Sequence, residues 1–203
     1  MQLANASTNQ VKGATLGHSL TSLNETLTGK VVLAVAASLF VALCAHISVP
    51  LPFTPVPLTL GNMAVVLVGL ALGPATAFAA LALYLAEGAM GMPVFNPSPL
   101  TGIAHLLGPT GGFLFAYPAA AAIAGASHKL LSRILPDFAS SLAASTVATC
   151  LVLTAGVSWL AVSLHLTPGV AFKLGAAPFV LGEVVKIMAT AGIFTSLSRS
   201  RSA

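Results

Sequence analysis

Apolar residues in this chain come in long blocks, and the breaks between blocks are built from proline and glycine rather than from charge. A helix crossing a bilayer needs roughly 20 apolar residues, within a range of about 17 to 25. The first block, 31–49 (VVLAVAASLFVALCAHISV), meets that length and ends at Pro50-Leu51-Pro52, where the prolines break helical geometry. The second, 60–73, stops at Gly73-Pro74, and the third, 74–90, ends in the glycines of EGAMGMP. The fourth, 111–126, begins in the glycines of GPTGG, and the fifth, 139–165, is long enough to cross with tilt. The sixth, 177–197 (APFVLGEVVKIMATAGIFTSL), carries two charges, Glu183 and Lys186. The pattern predicts an all-α integral membrane protein with six transmembrane helices over 30–198, a polar N-terminal tail over 1–29 and a short C-terminal tail over 199–203.

Composition agrees. Of 203 residues, 57% are hydrophobic and 6% charged; soluble domains carry about 25% charged residues. Abundant alanine and glycine let membrane helices approach closely. The tail lacks the basic, apolar, small-residue order of a cleavable signal peptide. The sequon Asn24-Glu25-Thr26 is read as a chance match, and Cys44 and Cys150 sit inside apolar blocks without disulfide or metal spacing.

The few charges set the topology. With six spans, both termini and the 2–3 and 4–5 connections share one side, which then holds Lys12, Lys30, Lys129, Arg133, Arg199 and Arg201. The other side holds Lys173. By the positive-inside rule both termini are cytoplasmic. The net charge of +4 calls for anionic lipid, not nucleic acid. The outer connections, PLPFTPVPLT (50–59) and GMPVFNPSPLTGIAHLLGPTGG (91–112), carry no charge and are rich in proline and apolar residues. Such loops are expected to fold down over the helix bundle and cap a pocket.

An ionisable residue deep in a bilayer costs at least ~2.5 kcal/mol, so it turns inward and marks a ligand or ion path. Glu183 and Lys186, at i and i+3, lie on one helix face. Read from spacing alone, they are either a self-neutralising pair or an anchor for a ligand group. Glu87 in ALYLAEGAMGMP is a second acid, with Tyr84 three residues before it on the same face; it faces either the pocket or the outer interface. Asn62 and Asn96 add neutral hydrogen-bonding groups near the outer side, and Phe95 an apolar wall. Ala34, Ser38 and Ala42 form a small-residue stripe, read either as internal packing or as a docking face for a separate subunit. His46, His105 and His165 share no ligand spacing, so no metal is expected; His105 and Trp159 are read as loop and interface residues. There is no nucleophile–base pair, HExxH or GxxxxGK[ST] loop, so neither an enzyme nor an ATPase is expected.

LPFTPVPLTL (51–60), YLAEGAMGMPVF (84–95), LLGPTGGFLFAYP (106–118) and PFVLGEVVK (178–186) resemble, in order, the signatures of the BioY family, the biotin-specific S components of energy-coupling factor (ECF) transporters. The resemblance runs from about residue 31 into the sixth block. It implies a six-helix S-component fold, high-affinity capture of biotin from outside, and assembly with a transmembrane T component and two cytoplasmic ATPases. Biotin is then a transported ligand, with no cofactor. The resemblance also implies that Ala34, Ser38 and Ala42 dock on the T component, and that Glu183 and Lys186 contact the biotin carboxylate. The remaining pocket would be built from Tyr84, Phe95, Asn62, Asn96 and Glu87, with the last three available to the ureido ring.

The chain departs from the family pattern in three places. Glu183 replaces the usual Asp, Thr59-Leu60-Gly61-Asn62 replaces Thr-Leu-Gln-Thr, and Glu87 stands at a place usually apolar. The alternatives are an S component for another vitamin, such as riboflavin or thiamine, and a proton-coupled carrier of a small carboxylate working through Glu87 and Glu183.

Overall fold

The computed structural model describes residues 26–202; Lys12, most of the polar tail, and Asn24 and Glu25 of the sequon lie outside the described residues. Six longer helices carry the fold: α1 (Leu27–His46), α2 (Gly61–Leu72), α3 (Pro74–Ala89), α5 (Gly111–Leu131), α6 (Asp137–Ser163) and α8 (Val180–Ser202). The connections hold more structure than the sequence predicts. A two-stranded antiparallel hairpin, β1 (Ser48–Val49) with β2 (Leu58–Thr59), frames the first outer loop. A short helix α4 (Gly102–Leu107) lies within the second. α7 (Pro168–Gly175) and a 3₁₀ turn (Ala177–Phe179) lead into α8.

Helix ends follow local chemistry. Thr26, the third residue of the sequon, caps α1 by accepting from the Gly29 amide at 3.1 Å. Pro74 opens α3 at a position where a missing N–H costs nothing. Inside the helices, Ser145, Thr190 and Thr195 donate to the carbonyl four residues back, at 2.7 Å in each case. Buried hydroxyls in an apolar surround are satisfied without a second helix in this way.

α5 is the central helix, packing on α6, α3 and α2, while α1 packs on α3 and α2, and α6 on α8. The core relies on small side chains: Ala77, Ala80, Ala120, Ala121, Ala124, Ala144 and Ala148 are fully buried. At Gly69 of α2 a β-carbon would sit 2.3 Å from the Ala121 carbonyl oxygen of α5, so the two backbones touch where only glycine fits.

Helix length is uneven. Among the described residues, three stretches are long and apolar enough to cross a membrane: Leu27–His46, Asp137–Ser163 and Pro168–Ser200. α2, at 12 residues, is about 18 Å long, and α3, at 16, about 24 Å; a hydrocarbon core is about 30 Å thick. α5 has the length, 21 residues, but is rich in alanine and glycine and contains Pro118.

The packing bears on the small-residue stripe, which the sequence left open between internal packing and subunit docking. Ala34, Ser38 and Ala42 are buried, on the face of α1 turned into the bundle, and Ser38 donates a hydrogen bond to Glu87 of α3. In this structure the stripe serves internal helix packing; the outward face of α1 carries Val31, Val35, Leu39 and Leu43.

Candidate functional site

A cavity lies under the outer loops, between the start of α2, the start of α5, the middle of α6 and the start of α8. Its wall is mostly apolar, built from Val56 and Pro57 of the first loop with Phe113, Leu114, Val152 and Phe179. Its charged residues are Glu183 and Lys186. A second hollow lies among the loops themselves and shares Pro57, Asn96 and Thr110 with the first.

The 3₁₀ turn at Ala177–Phe179 ends the approach from α7, so Glu183 and Lys186 fall in the first two turns of α8. The i, i+3 spacing brings Lys186 Nζ to 2.7 Å from Glu183 Oε1, with both residues buried. Asn62 sits near the start of α2 because Thr59 Oγ1 accepts from the Gly61 amide at 3.2 Å and turns the chain out of β2 into the helix. From there Asn62 Nδ2 donates to Glu183 Oε2 at 2.6 Å. Both carboxylate oxygens are therefore engaged. The longer arm of Glu183 is spent on this internal bridge from α8 to α2. Asn62 Oδ1 is buried and without a hydrogen-bond partner.

The structure thus brings four expected residues, Asn62, Asn96, Glu183 and Lys186, to one cavity, and keeps three away from it. Glu87 is half-buried and faces α1, bonded to Ser38. Tyr84 is fully buried, and its hydroxyl donates to the Val94 carbonyl at 3.0 Å. Phe95 packs edge-on against Tyr84, with ring centres 5.3 Å apart, and against His105 at 5.0 Å. Tyr84 and Phe95 therefore fasten the second loop to α3 instead of lining the cavity. Gly88 makes the seat for Phe95: a β-carbon there would lie 2.0 Å from the ring.

Further ties hold the loops down. Thr54 Oγ1 donates to the Leu174 carbonyl at 2.8 Å, and Trp159 Nε1 to the Gly108 carbonyl at 2.9 Å. His105 Nδ1 is 3.0 Å from the Leu100 carbonyl, so this nitrogen carries the proton.

Sequence reasoning missed Tyr117, Phe113 and Phe179 as wall residues. The pattern in GGFLFAYP did hold a clue to the first two: Phe113 and Tyr117 stand four apart, on one helical face. Gly61, in the place of the family's glutamine, leaves room beside Tyr117, whose hydroxyl would be 3.4 Å from a β-carbon there.

Comparison with known proteins comes to the same point from outside. The family model described as the BioY family matches residues 12–203. A Pyrococcus horikoshii protein named probable biotin transporter BioY is 42% identical over 152 residues, which is 73% of this chain and 85% of that protein. The Thermotoga maritima biotin transporter BioY is 34% identical, over 81% of this chain and 95% of its own. Among solved structures, the S-component for biotin from an ECF-type ABC transporter superposes with a TM-score of 0.76, at 23% identity, over 84% of this chain and 90% of that one. At that identity the likeness carries the fold.

Proposed function

The chain belongs to the BioY family, and on that premise we propose that it is a biotin-capturing S component of an ECF-type uptake transporter. The observation that carries the reading is the buried Lys186–Glu183 pair set in a mostly apolar cavity beneath the outer loops. Ligand sites of this kind are concave and mostly apolar, with a few placed polar groups. Biotin matches that chemistry, being an apolar bicycle and alkyl chain with polar groups at its two ends.

In this reading the cavity is the biotin pocket, and the loops at 50–59 and 91–110 are its cover. Lys186 uses one N–H on Glu183 and has two left for a ligand acceptor; the family resemblance assigns it the valerate carboxylate. The six longer helices all cross the cytoplasmic membrane, with both termini inside. The short helices α2 and α3 complete their crossing through the hairpin and loop segments, since irregular backbone is tolerated at membrane depth when it is buried in protein. The protein performs no chemistry on biotin. Release into the cell depends on a T component and cytoplasmic ATPases, which supply the energy this chain has no phosphate loop to harvest.

The test is equilibrium binding of biotin, riboflavin and thiamine to the detergent-purified protein. Biotin alone is expected to bind tightly, and preference for another vitamin would replace the ligand while keeping the subunit class. Lys186→Ala is expected to weaken biotin at least tenfold, since a charge-assisted hydrogen bond contributes about 1.5–3 kcal/mol. Unchanged affinity would remove Lys186 from the site.

A further inference from the structure

The turn between α5 and α6 gathers positive charge at one corner of the bundle, at the end away from the cavity. Lys129 stands on the last turn of α5 and Arg133 in the turn that follows, and both are exposed. The far end of α8 packs against the same corner. Phe194 of α8 meets the His128 ring of α5 edge-on, with centres 4.9 Å apart. Ser198 Oγ lies 3.5 Å from Asp137 Oδ2 at the start of α6, and His128 Nδ1 lies 3.2 Å from Ser140 Oγ. Three helix ends are thereby held together, and Arg199, exposed and next after Ser198, is brought to the turn. Three cations and one carboxylate, Asp137, occupy the corner. Among the described residues none of the three cations is in an ion pair.

The surface between these charges is apolar where a solvated turn would be polar. Leu130 is 64% exposed and Ile134 78%, and each directly follows a cation. The positive-inside bias asks only that Lys and Arg lie on one side of the membrane. It does not ask that they converge from separate helices, nor that aliphatic side chains stand between them. A turn joining two crossing helices stands at headgroup depth, where its neighbour is lipid. Lys and Arg stems lie along apolar surface while their heads reach charge, and an anionic leaflet attracts each such cation.

Resting on the crossing of α5 and α6 set out above, we propose that Lys129, Arg133 and Arg199 form a binding site for the phosphodiester of an anionic phospholipid. Leu130 and Ile134 lie against its glycerol and upper acyl region. The bound lipid fastens the α5–α6 turn to the end of α8, and so clamps two helices whose other parts, Val152 of α6 and Lys186 of α8, line the cavity. Nothing in the site overlaps the cavity, so lipid and transported ligand are held independently.

The experiment is native mass spectrometry of the full-length protein in detergent, titrated with phosphatidylglycerol and with phosphatidylcholine of the same acyl chains. Phosphatidylglycerol is expected to bind at least tenfold more tightly, with the preference shrinking as salt is added. Lys129→Gln, Arg133→Gln and Arg199→Gln are each expected to lose about three- to fivefold, and the triple variant to bind both lipids alike. Lys173→Gln, which removes the same charge elsewhere, leaves the preference in place. Leu130→Ser with Ile134→Ser weakens both lipids. A triple variant that keeps the preference overturns the proposal, and so does a Lys173→Gln variant that loses as much as the corner variants. Binding of sn-glycerol 3-phosphate as tight as that of the lipid would assign the corner to a soluble phosphate. Displacement of the lipid by hexaglutamate would assign it to an acidic protein surface, and either result overturns the proposal too. Biotin binding by the triple variant is expected to be unchanged, which shows the fold intact. Loss of lipid preference with biotin still bound strikes this site alone, whereas failure of the unaltered protein to bind biotin strikes the ligand reading and leaves the lipid result standing.

Discussion

Glu183 has an oxygen for Lys186 and an oxygen for Asn62, and that division explains how two charges persist in an apolar helix. Removing one member of a buried pair leaves the other uncompensated, at a cost of about 3–5 kcal/mol. Lys186→Met and Glu183→Gln are each expected to lower the thermal midpoint in detergent. The double variant should recover most of that stability yet still fail to bind biotin. A double variant that binds would show the pair to be structural. The i, i+3 relation of Glu183 and Lys186 was legible in the sequence, because helix geometry alone puts them on one face. Asn62 as their third member was not, since it stands 121 residues away and only packing of α2 on α8 brings it there. Glu87 was misplaced for a similar reason. Its face was set by Ser38, a hydroxyl on another helix that no local pattern connects with it.

At the scale of elements, the apolar blocks predicted the six longer helices to within a few residues. Lipid and close packing both demand unbroken apolar stretches, and such stretches leave a plain mark in sequence. The small outer elements left none. The hairpin at 48–59, α4 and α7 are short, apolar and rich in proline and glycine, so neither a period of two nor of 3.6 has room to show. What fixes them is contact with the bundle. Phe95 seated on Gly88 is the clearest case, and Gly88→Ala is expected to push the ring off Tyr84 and His105. The measurable result is faster backbone hydrogen exchange over 91–108 and a weaker grip on biotin, with exchange elsewhere unchanged. Exchange identical to that of the unaltered protein would mean the loop is held by its hydrogen bonds alone.

At the scale of the whole molecule, the charge asymmetry predicts an orientation that labelling can check. Lys129, on the last turn of α5, and Lys173, on α7, are both exposed, and the topology proposed above puts them on opposite sides. In a background carrying Cys44→Ala and Cys150→Ala, Lys173→Cys is expected to react with a membrane-impermeant maleimide in intact cells. Lys129→Cys should react only after permeabilisation. The reverse pattern would invert the topology and put the cavity on the wrong side for uptake.

The outer loops are fastened in a particular way: in each tie a side chain donates and a backbone carbonyl accepts. The acceptors are Val94, Leu100, Gly108 and Leu174, and the donors Tyr84, His105, Trp159 and Thr54. Every residue type has a carbonyl, so substitution at an acceptor position leaves the tie in place. The cover can therefore change its inward-facing side chains without coming loose, which separates tuning of ligand choice from maintenance of the fold. Randomising Val56, Pro57 and Asn96, which line the cavity, should return many folded proteins with altered vitamin preference, whereas randomising Tyr84, Thr54 and Trp159 should return few. The scaffold is, in that sense, built to be re-specified.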